Sequence, residues 1–260
     1  MDIGFAFAGL VVGLLVGLTG VGGGSLMAPI LIVIFGFNPM VAVGTDLWFA
    51  ALTKSVGGTI HRRFGSPDWE IIAWLAAGSI PAAIATLLWL NFVHAGQLET
   101  GTLLNLLGAA LVISALILPI KGRITRPMAT LRATTGSMLK TAQLAGTAVA
   151  GALIGCLVAL TSVGAGALVA VVLMVLYPFR LNAKSLIGTD IIHAIPLAFV
   201  AAIGHSWLGN VDWALLGALL IGSVPGIILG SLLVNKINEN FVRLALAAML
   251  ALSGAKLLSM

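Results

Sequence analysis

The apolar residues of this chain fall into ten runs, at about 3–18, 25–37, 39–60, 69–91, 100–120, 141–160, 167–178, 183–204, 212–235 and 240–258. Most approach the roughly 17 to 25 residues that a helix needs to cross a hydrocarbon core about 30 Å thick. Lipid offers no partner to backbone N–H and C=O groups, so such runs must be helical. Only 8% of the residues are charged and the mean hydropathy is +1.16, whereas a soluble domain carries about 25% charged residues. A soluble enzyme, a disulfide-built secreted domain and a disordered chain are thereby excluded. The sequence predicts an all-α polytopic membrane protein of the cell inner membrane. Cys156 is the only cysteine, so no intramolecular disulfide exists. The net charge of +5 reads as loops facing anionic headgroups rather than nucleic acid. Met1-Asp2-Ile3 lacks the basic stretch of a signal peptide, so the first run is expected to remain in the mature protein.

The ten runs are two copies of one pattern of five. Thr19-Gly20-Val21-Gly22-Gly23-Gly24-Ser25-Leu26 returns as Thr161-Ser162-Val163-Gly164-Ala165-Gly166-Ala167-Leu168, and Gly44-Thr45-Asp46 as Gly188-Thr189-Asp190. Asn38 is matched by Asn182, His61 by His205, Asp68-Trp69 by Asp212-Trp213, and Gly78-Ser79-Ile80-Pro81 by Gly222-Ser223-Val224-Pro225. From Asn38 onward the register holds without a gap. The expected organisation is a first repeat over 1–120, a basic linker over 121–140 and a second repeat over 141–260. Each repeat would hold a broken or re-entrant helical hairpin and three further transmembrane helices. That amounts to about eight full spans with two hairpins, or ten crossings.

The first two runs of each half are interrupted by the glycine motif. Residues 3–18 and 25–37 reach only about 24 Å and 20 Å at 1.5 Å per residue, short of the core. If each interrupted pair makes an even number of crossings, the halves enter from opposite sides. Arg62, Arg63, the linker residues Lys121, Arg123, Arg126, Arg132 and Lys140, and Arg180, Lys184, Lys236 and Arg243 then share the cytoplasmic face. An odd count would divide them between faces, against the positive-inside rule. The expectation is two inverted repeats with external termini and a cytoplasmic linker, an architecture common in secondary transporters. Trp69, Trp89, Trp207 and Trp213 lie near run ends and fit an interfacial belt. His61-Arg62-Arg63 reads as a cytoplasmic anchor.

Irregular backbone at membrane depth requires a protein-lined or watery cavity. Consecutive glycines at Gly22, Gly23 and Gly24 break a helix and let a solute approach the chain, and Gly164 and Gly166 repeat the feature. Freed amides and the positive end of the following half-helix favour an anion. The hydroxyls of Thr19, Ser25, Thr45, Thr161, Ser162 and Thr189 are candidate donors to an oxyanion, although such groups also bond their own helix backbone. Tight helix packing is the alternative use of the glycines. The motif lacks the Lys-Ser/Thr pair of a nucleotide loop, and no His, Cys or carboxylate set has metal-ligand spacing.

Asp46 and Asp190 lie eight residues beyond Asn38 and Asn182, about 12 Å along their helices. A carboxylate so deep is a functional candidate: it takes a proton, binds a cation, or holds the broken backbone of the hairpin. Lys54 follows Asp46 by eight residues on the same face, as a counter-ion or as a side chain snorkelling to the headgroups. Its counterpart is Ala198, so the repeat favours snorkelling. His193, three residues after Asp190, is placed to pair with it, either in a structural role or as a proton relay. Pro81 and Pro225, each three residues after glycine, are matched kinks that suit either a hinge or a static bend.

The Gly17-Leu18-Thr19-Gly20-Val21-Gly22-Gly23-Gly24-Ser25 run, the Gly44-Thr45-Asp46 element and the degenerate second copy resemble the sulfite exporter TauE/SafE family of membrane proteins. The resemblance covers essentially the whole chain. It implies transport of a small sulfur-containing anion such as sulfite, thiosulfate or a sulfonate. The second copy carries Ala165 and Ala167 where the first has glycine and serine, so its tip is expected to be the more helical. A secondary transporter with an anionic substrate, no cofactor and protons as the candidate coupling ion is the reading that results. A channel of the same architecture is the first rival. A less favoured one is an intramembrane hydrolase using Ser25 with His61 or His193, for which no nucleophile motif is present.

Overall fold

The computed structural model describes the chain apart from residues 1–2, 20–25, 62–66, 133–137, 165, 178–179, 182 and 234–238. Side chains are also not described at 19, 57–61, 118–132, 138–142, 167, 183–184 and 239–243. The described residues form ten helices and no strand: α1 (Ile3–Thr19), α2 (Met27–Val33), α3 (Pro39–His61), α4 (Trp69–His94), α5 (Thr100–Arg132), α6 (Met138–Thr161), α7 (Ala167–Leu176), α8 (Ala183–Trp207), α9 (Trp213–Leu233) and α10 (Glu239–Leu258). Only α2 and α7 are short, at 7 and 10 residues. Helix takes up most of the 121–140 stretch, with α5 continuing to Arg132 and α6 opening at Met138.

Five described segments are long and apolar enough to cross a membrane: 69–94, 100–117, 143–161, 185–207 and 213–233. Large apolar side chains such as Phe7, Phe92, Leu116, Leu153, Ile221 and Leu252 point outward. That is more exposed apolar surface than water tolerates, and it suits lipid. Trp69 and Trp213 open α4 and α9, Trp207 closes α8, and all three are exposed at helix ends.

Helix starts follow the sequence signals. Asn38 Oδ1 accepts the Met40 N–H at 2.9 Å, so Pro39 opens α3. Asp68 Oδ1 accepts the Ile71 N–H at 3.3 Å and Asp212 Oδ1 the Leu215 N–H at 2.9 Å, capping α4 and its counterpart α9 alike.

The two halves interlock, and their contacts come in matched sets. α1 packs on α9 as α6 packs on α4; α3 on α9 as α8 on α4; α2 on α10 as α7 on α5. α3 meets its own copy α8, and α5 meets α10. Individual bonds repeat the pattern: Thr45 Oγ1 accepts the Asp212 N–H at 3.0 Å, and Thr189 Oγ1 accepts the Asp68 N–H at 3.0 Å. A chain written twice can form both bonds from the same local sequence.

Glycines set how closely these helices approach. On α1, Gly9, Gly13 and Gly17 face the α9 backbone at Leu219, Ser223 and Ile227. Across from them, Gly222, Gly226 and Gly230 face the α1 backbone at Ala6, Leu10 and Leu14. A Cβ on any of the six would stand 1.8 to 2.4 Å from a carbonyl oxygen of the other helix. Gly78, Gly151 and Gly155 do the same between α4 and α6. Rising numbers oppose rising numbers in both pairs, so α1 runs parallel to α9 and α6 parallel to α4. The spacing of four residues in each row is the small-residue repeat by which helix backbones meet in lipid.

Candidate functional site

α1 with α2, and α6 with α7, are helical hairpins whose arms meet at the base. The Phe5 ring lies 4.9 Å from Phe35 and 5.7 Å from Phe37, joining the start of α1 to the segment after α2. In the second hairpin Gln143 Nε2 donates to the Leu176 carbonyl at 3.0 Å, and the Thr147 and Tyr177 hydroxyls bond at 2.7 Å.

The second hairpin turns through a non-helical break. Ser162, Gly164 and Gly166 have φ of 57°, 120° and 154°, values that end a right-handed helix. Thr161 Oγ1 donates to Leu157 O at 2.6 Å and accepts the Val163 N–H at 3.2 Å, which fixes the break. Ala167 opens α7, and the break lies before it at Ser162, Gly164 and Gly166; Ala165 lies outside the described residues. The matching tip of the first hairpin, with Gly22, Gly23, Gly24 and Ser25, lies outside the described residues, as does the side chain of Thr19. The same holds for Asn182, Arg62, Arg63 and the side chains of His61, the linker bases, Lys184, Lys236 and Arg243.

Asp46 sits between the two hairpins. It is fully buried on α3 and faces the Ser162 hydroxyl at the second tip and the Ala28 amide near the start of α2. Among the described residues neither group meets either carboxylate oxygen in hydrogen-bond geometry, and the Ser162 hydroxyl is likewise unpaired. Asp190, on α8, is 4% exposed. Both carboxylates lie within electrostatic reach of Lys54, Asp190 more strongly than Asp46.

Lys54 corrects a sequence expectation. Instead of snorkelling to headgroups, it is 5% exposed, because α8 packs along α3 and covers it. Its charge also reaches His193. His193 Nε2 bonds the Ser79 hydroxyl of α4 at 2.8 Å rather than pairing with Asp190. The i, i+3 spacing allowed the pairing, but α4 supplies a better-placed partner. Buried Lys54, Asp46, Asp190 and His193 thus form one polar cluster beside the second hairpin tip.

The other hydroxyls divide clearly. Thr45 and Thr189 accept the amides of Asp212 and Asp68, and Thr161 bonds the backbone break. Pro81 and Pro225 lie inside unbroken α4 and α9. Two contributors were missed in the sequence. Ser79 was read only as part of a repeated motif, and its pairing with His193 spans 114 residues. His205 Nε2 bonds the Ala159 carbonyl at 2.8 Å, tying α8 to the arm of the second hairpin; its match with His61 was the available signal.

Arg180, after α7, spans two acids at the start of α4. Its guanidinium Nη2 lies 2.8 Å from Asp68 Oδ1 and 2.7 Å from Glu70 Oε2, with Nε bonded to Asp68 Oδ2. Far along α4, Asn210 Nδ2 donates to the Gly96 carbonyl at 2.9 Å. The α7–α8 connection therefore lies with the start of α4, and the α8–α9 connection with its end.

The sequence profile of the family described as Sulfite exporter TauE/SafE matches residues 5–257. A probable membrane transporter protein of Bacillus subtilis, YjnA, is 35% identical over 99% of this chain and 100% of its own length. A second from the same organism, YdhB, is 27% identical over 95% of this chain and 96% of its own. A third, YunE, is 40% identical over 30% of this chain and 28% of its own. No solved structure matches the chain.

Proposed function

From the premise that the chain belongs to the TauE/SafE sulfite exporter family, and is a multi-pass membrane transporter protein, we propose that it is a secondary transporter for a small sulfur-containing anion. Sulfite is the anion named in the family description; thiosulfate and sulfonates such as sulfoacetate complete the proposed substrate class. The substrate site lies between the two hairpin tips, within Gly22–Ser25 and Ser162–Gly166. Backbone amides and the Ser162 hydroxyl hold the anion, as at other helix N-termini in lipid. The single observation that carries this reading is the buried break at Ser162, Gly164 and Gly166, where Ser162 faces an Asp46 whose oxygens find no hydrogen bond among the described residues. Irregular backbone and an orphaned carboxylate at such depth are otherwise costly.

The halves are inverted with respect to the membrane. The connection before α4 neighbours the one before α8, while its own counterpart, before α9, neighbours the far end of α4. Each hairpin then enters and leaves on one side, and the two sides are opposite. Matched prolines at Pro81 and Pro225, in helices that carry the hairpins through glycine contacts, suit a hinge for alternating access. Lys54 and the cluster around it balance charge at the site, and protons are the coupling ion.

Titration of purified protein with sulfite, thiosulfate, sulfoacetate and taurine tests the substrate class; saturable binding of at least one supports it, and none binding overturns it. Gly23→Leu, in a protein that still inserts and folds, removes transport; normal flux would overturn the site.

A further inference from the structure

The duplication placed an aspartate at the same position in both halves but did not repeat their surroundings. Lys54 corresponds to Ala198, and His193 to Phe49. The scaffold is therefore symmetric and its charges are not. Lys54 acts first on Asp190 and second on Asp46. Besides the more weakly felt Lys54, Asp46 faces a neutral hydroxyl and a backbone amide, with neither carboxylate oxygen in a hydrogen bond among the described residues. A buried ammonium needs a fixed partner, and Asp190 is a carboxylate buried on α8, the helix packed along α3. A buried carboxylate without one must take up a cation or cost the fold heavily.

We infer that the two aspartates have divided their labour: Asp46 binds and releases the coupling proton, and Asp190 is the permanent counter-charge of Lys54. The inference rests on the reading of the hairpin site as an anion transport site. With Lys54 charged and both aspartates ionised, the cluster carries one negative charge, which repels an anion. One proton from water onto an Asp46 oxygen brings the sum to zero, and its loss on the other side restores the repulsion. The site then moves one proton with each anion.

The groups around Asp46 leave this role to no other residue. Its own helix supplies Lys54. α8 supplies Asp190, His193 and His205, of which His193 is bonded to Ser79 and His205 to the Ala159 carbonyl. α9 is preceded by Asp212, whose carboxylate caps that helix. The described side chains of α1, α2 and α5 include no titratable group, and the break after α6 presents the Ser162 hydroxyl to Asp46. A metal cation would need several ligand oxygens. Among the described residues no group of three or more His, Cys, Asp or Glu side chains could hold one, whereas a proton needs a single oxygen.

Full-length protein in proteoliposomes tests this in three ways. Infrared difference spectra between acid and alkaline buffer should show a protonated-carboxyl stretch that vanishes in Asp46→Asn and survives in the Lys54→Met/Asp190→Asn double variant. The same band surviving in Asp46→Asn would overturn the assignment. Thermal unfolding should show Asp190→Asn well below wild type and the double variant recovering most of the loss; no recovery would overturn the Lys54–Asp190 partnership. With the anion that wild type binds, pH-gradient-driven accumulation should fall in Asp46→Asn to the level seen without a gradient. Gradient-driven accumulation equal to wild type, or dependence on sodium instead, would contradict the inference. The first two readouts need no substrate, so they decide it even if no sulfur anion is carried.

Discussion

Adding one methyl group at Gly13 and one at Gly217 should have opposite effects. Both glycines lie inside helices, α1 and α9, and both changes are Gly→Ala. At Gly13 the new Cβ would stand 2.4 Å from the Ser223 carbonyl oxygen and 2.7 Å from its Cα. Ordinary contact begins near 3.4 Å, so the backbones must separate by about 1.0 Å (3.4 minus 2.4). Neither neighbour is a flexible side-chain end, and Gly9, Gly17, Gly222, Gly226 and Gly230 must part with them. Overpacking of this kind costs about 1–3 kcal/mol, and alanine returns about 0.5–1 kcal/mol of helix propensity. The net expectation at Gly13 is a loss of roughly 1–2 kcal/mol. At Gly217 nothing lies within 4 Å of the added Cβ, so only the gain of about 0.5–1 kcal/mol remains. Thermal unfolding of the detergent-purified variants, read by size-exclusion recovery after heating, gives the sign directly. Gly13→Ala should fall several degrees below wild type and Gly217→Ala should equal or exceed it. A Gly13→Ala protein as stable as Gly217→Ala would refute the claim that glycine backbone contact sets the α1–α9 distance.

Two further expectations concern the bonds between halves. Thr45→Val and Thr189→Val each remove the acceptor of a part-buried amide, so each should cost a similar amount, about 1–3 kcal/mol; thermal unfolding that shows a loss in only one variant would contradict the matched contacts. Arg180→Gln removes three charge-assisted bonds at a site where the side chains are 15% to 38% exposed, and should cost at most about 1 kcal/mol. The deficit should disappear in 1 M salt, where screening acts within about 3 Å; an unfolding deficit indifferent to salt would exclude the ionic explanation.

The sequence made the helical membrane class legible through run length, and the repeat through matched residues in fixed register. Helix starts at Pro39, Trp69 and Trp213 were legible because capping is local chemistry. The interhelical glycine rows are present as four-residue spacings, but spacing alone does not say which distant helix each row meets. Lys54 shows the main limit. Its place on α3 along with Asp46 was legible, but whether it reached headgroups or the interior depended on α8, which lies more than 120 residues away. Ser79 and His193 met across 114 residues for the same reason. Local pattern named most of the candidate groups, and tertiary packing decided which of them came together.

The central claim is alternating access around the hairpin site. Counterflow measures it most directly: proteoliposomes loaded with unlabelled sulfite or thiosulfate are diluted into a trace of labelled anion. A transporter of the kind described must accumulate label transiently above the outside concentration, with saturable uptake that rises with internal anion. Flux that neither saturates nor responds to internal anion would mean a channel and contradict the account.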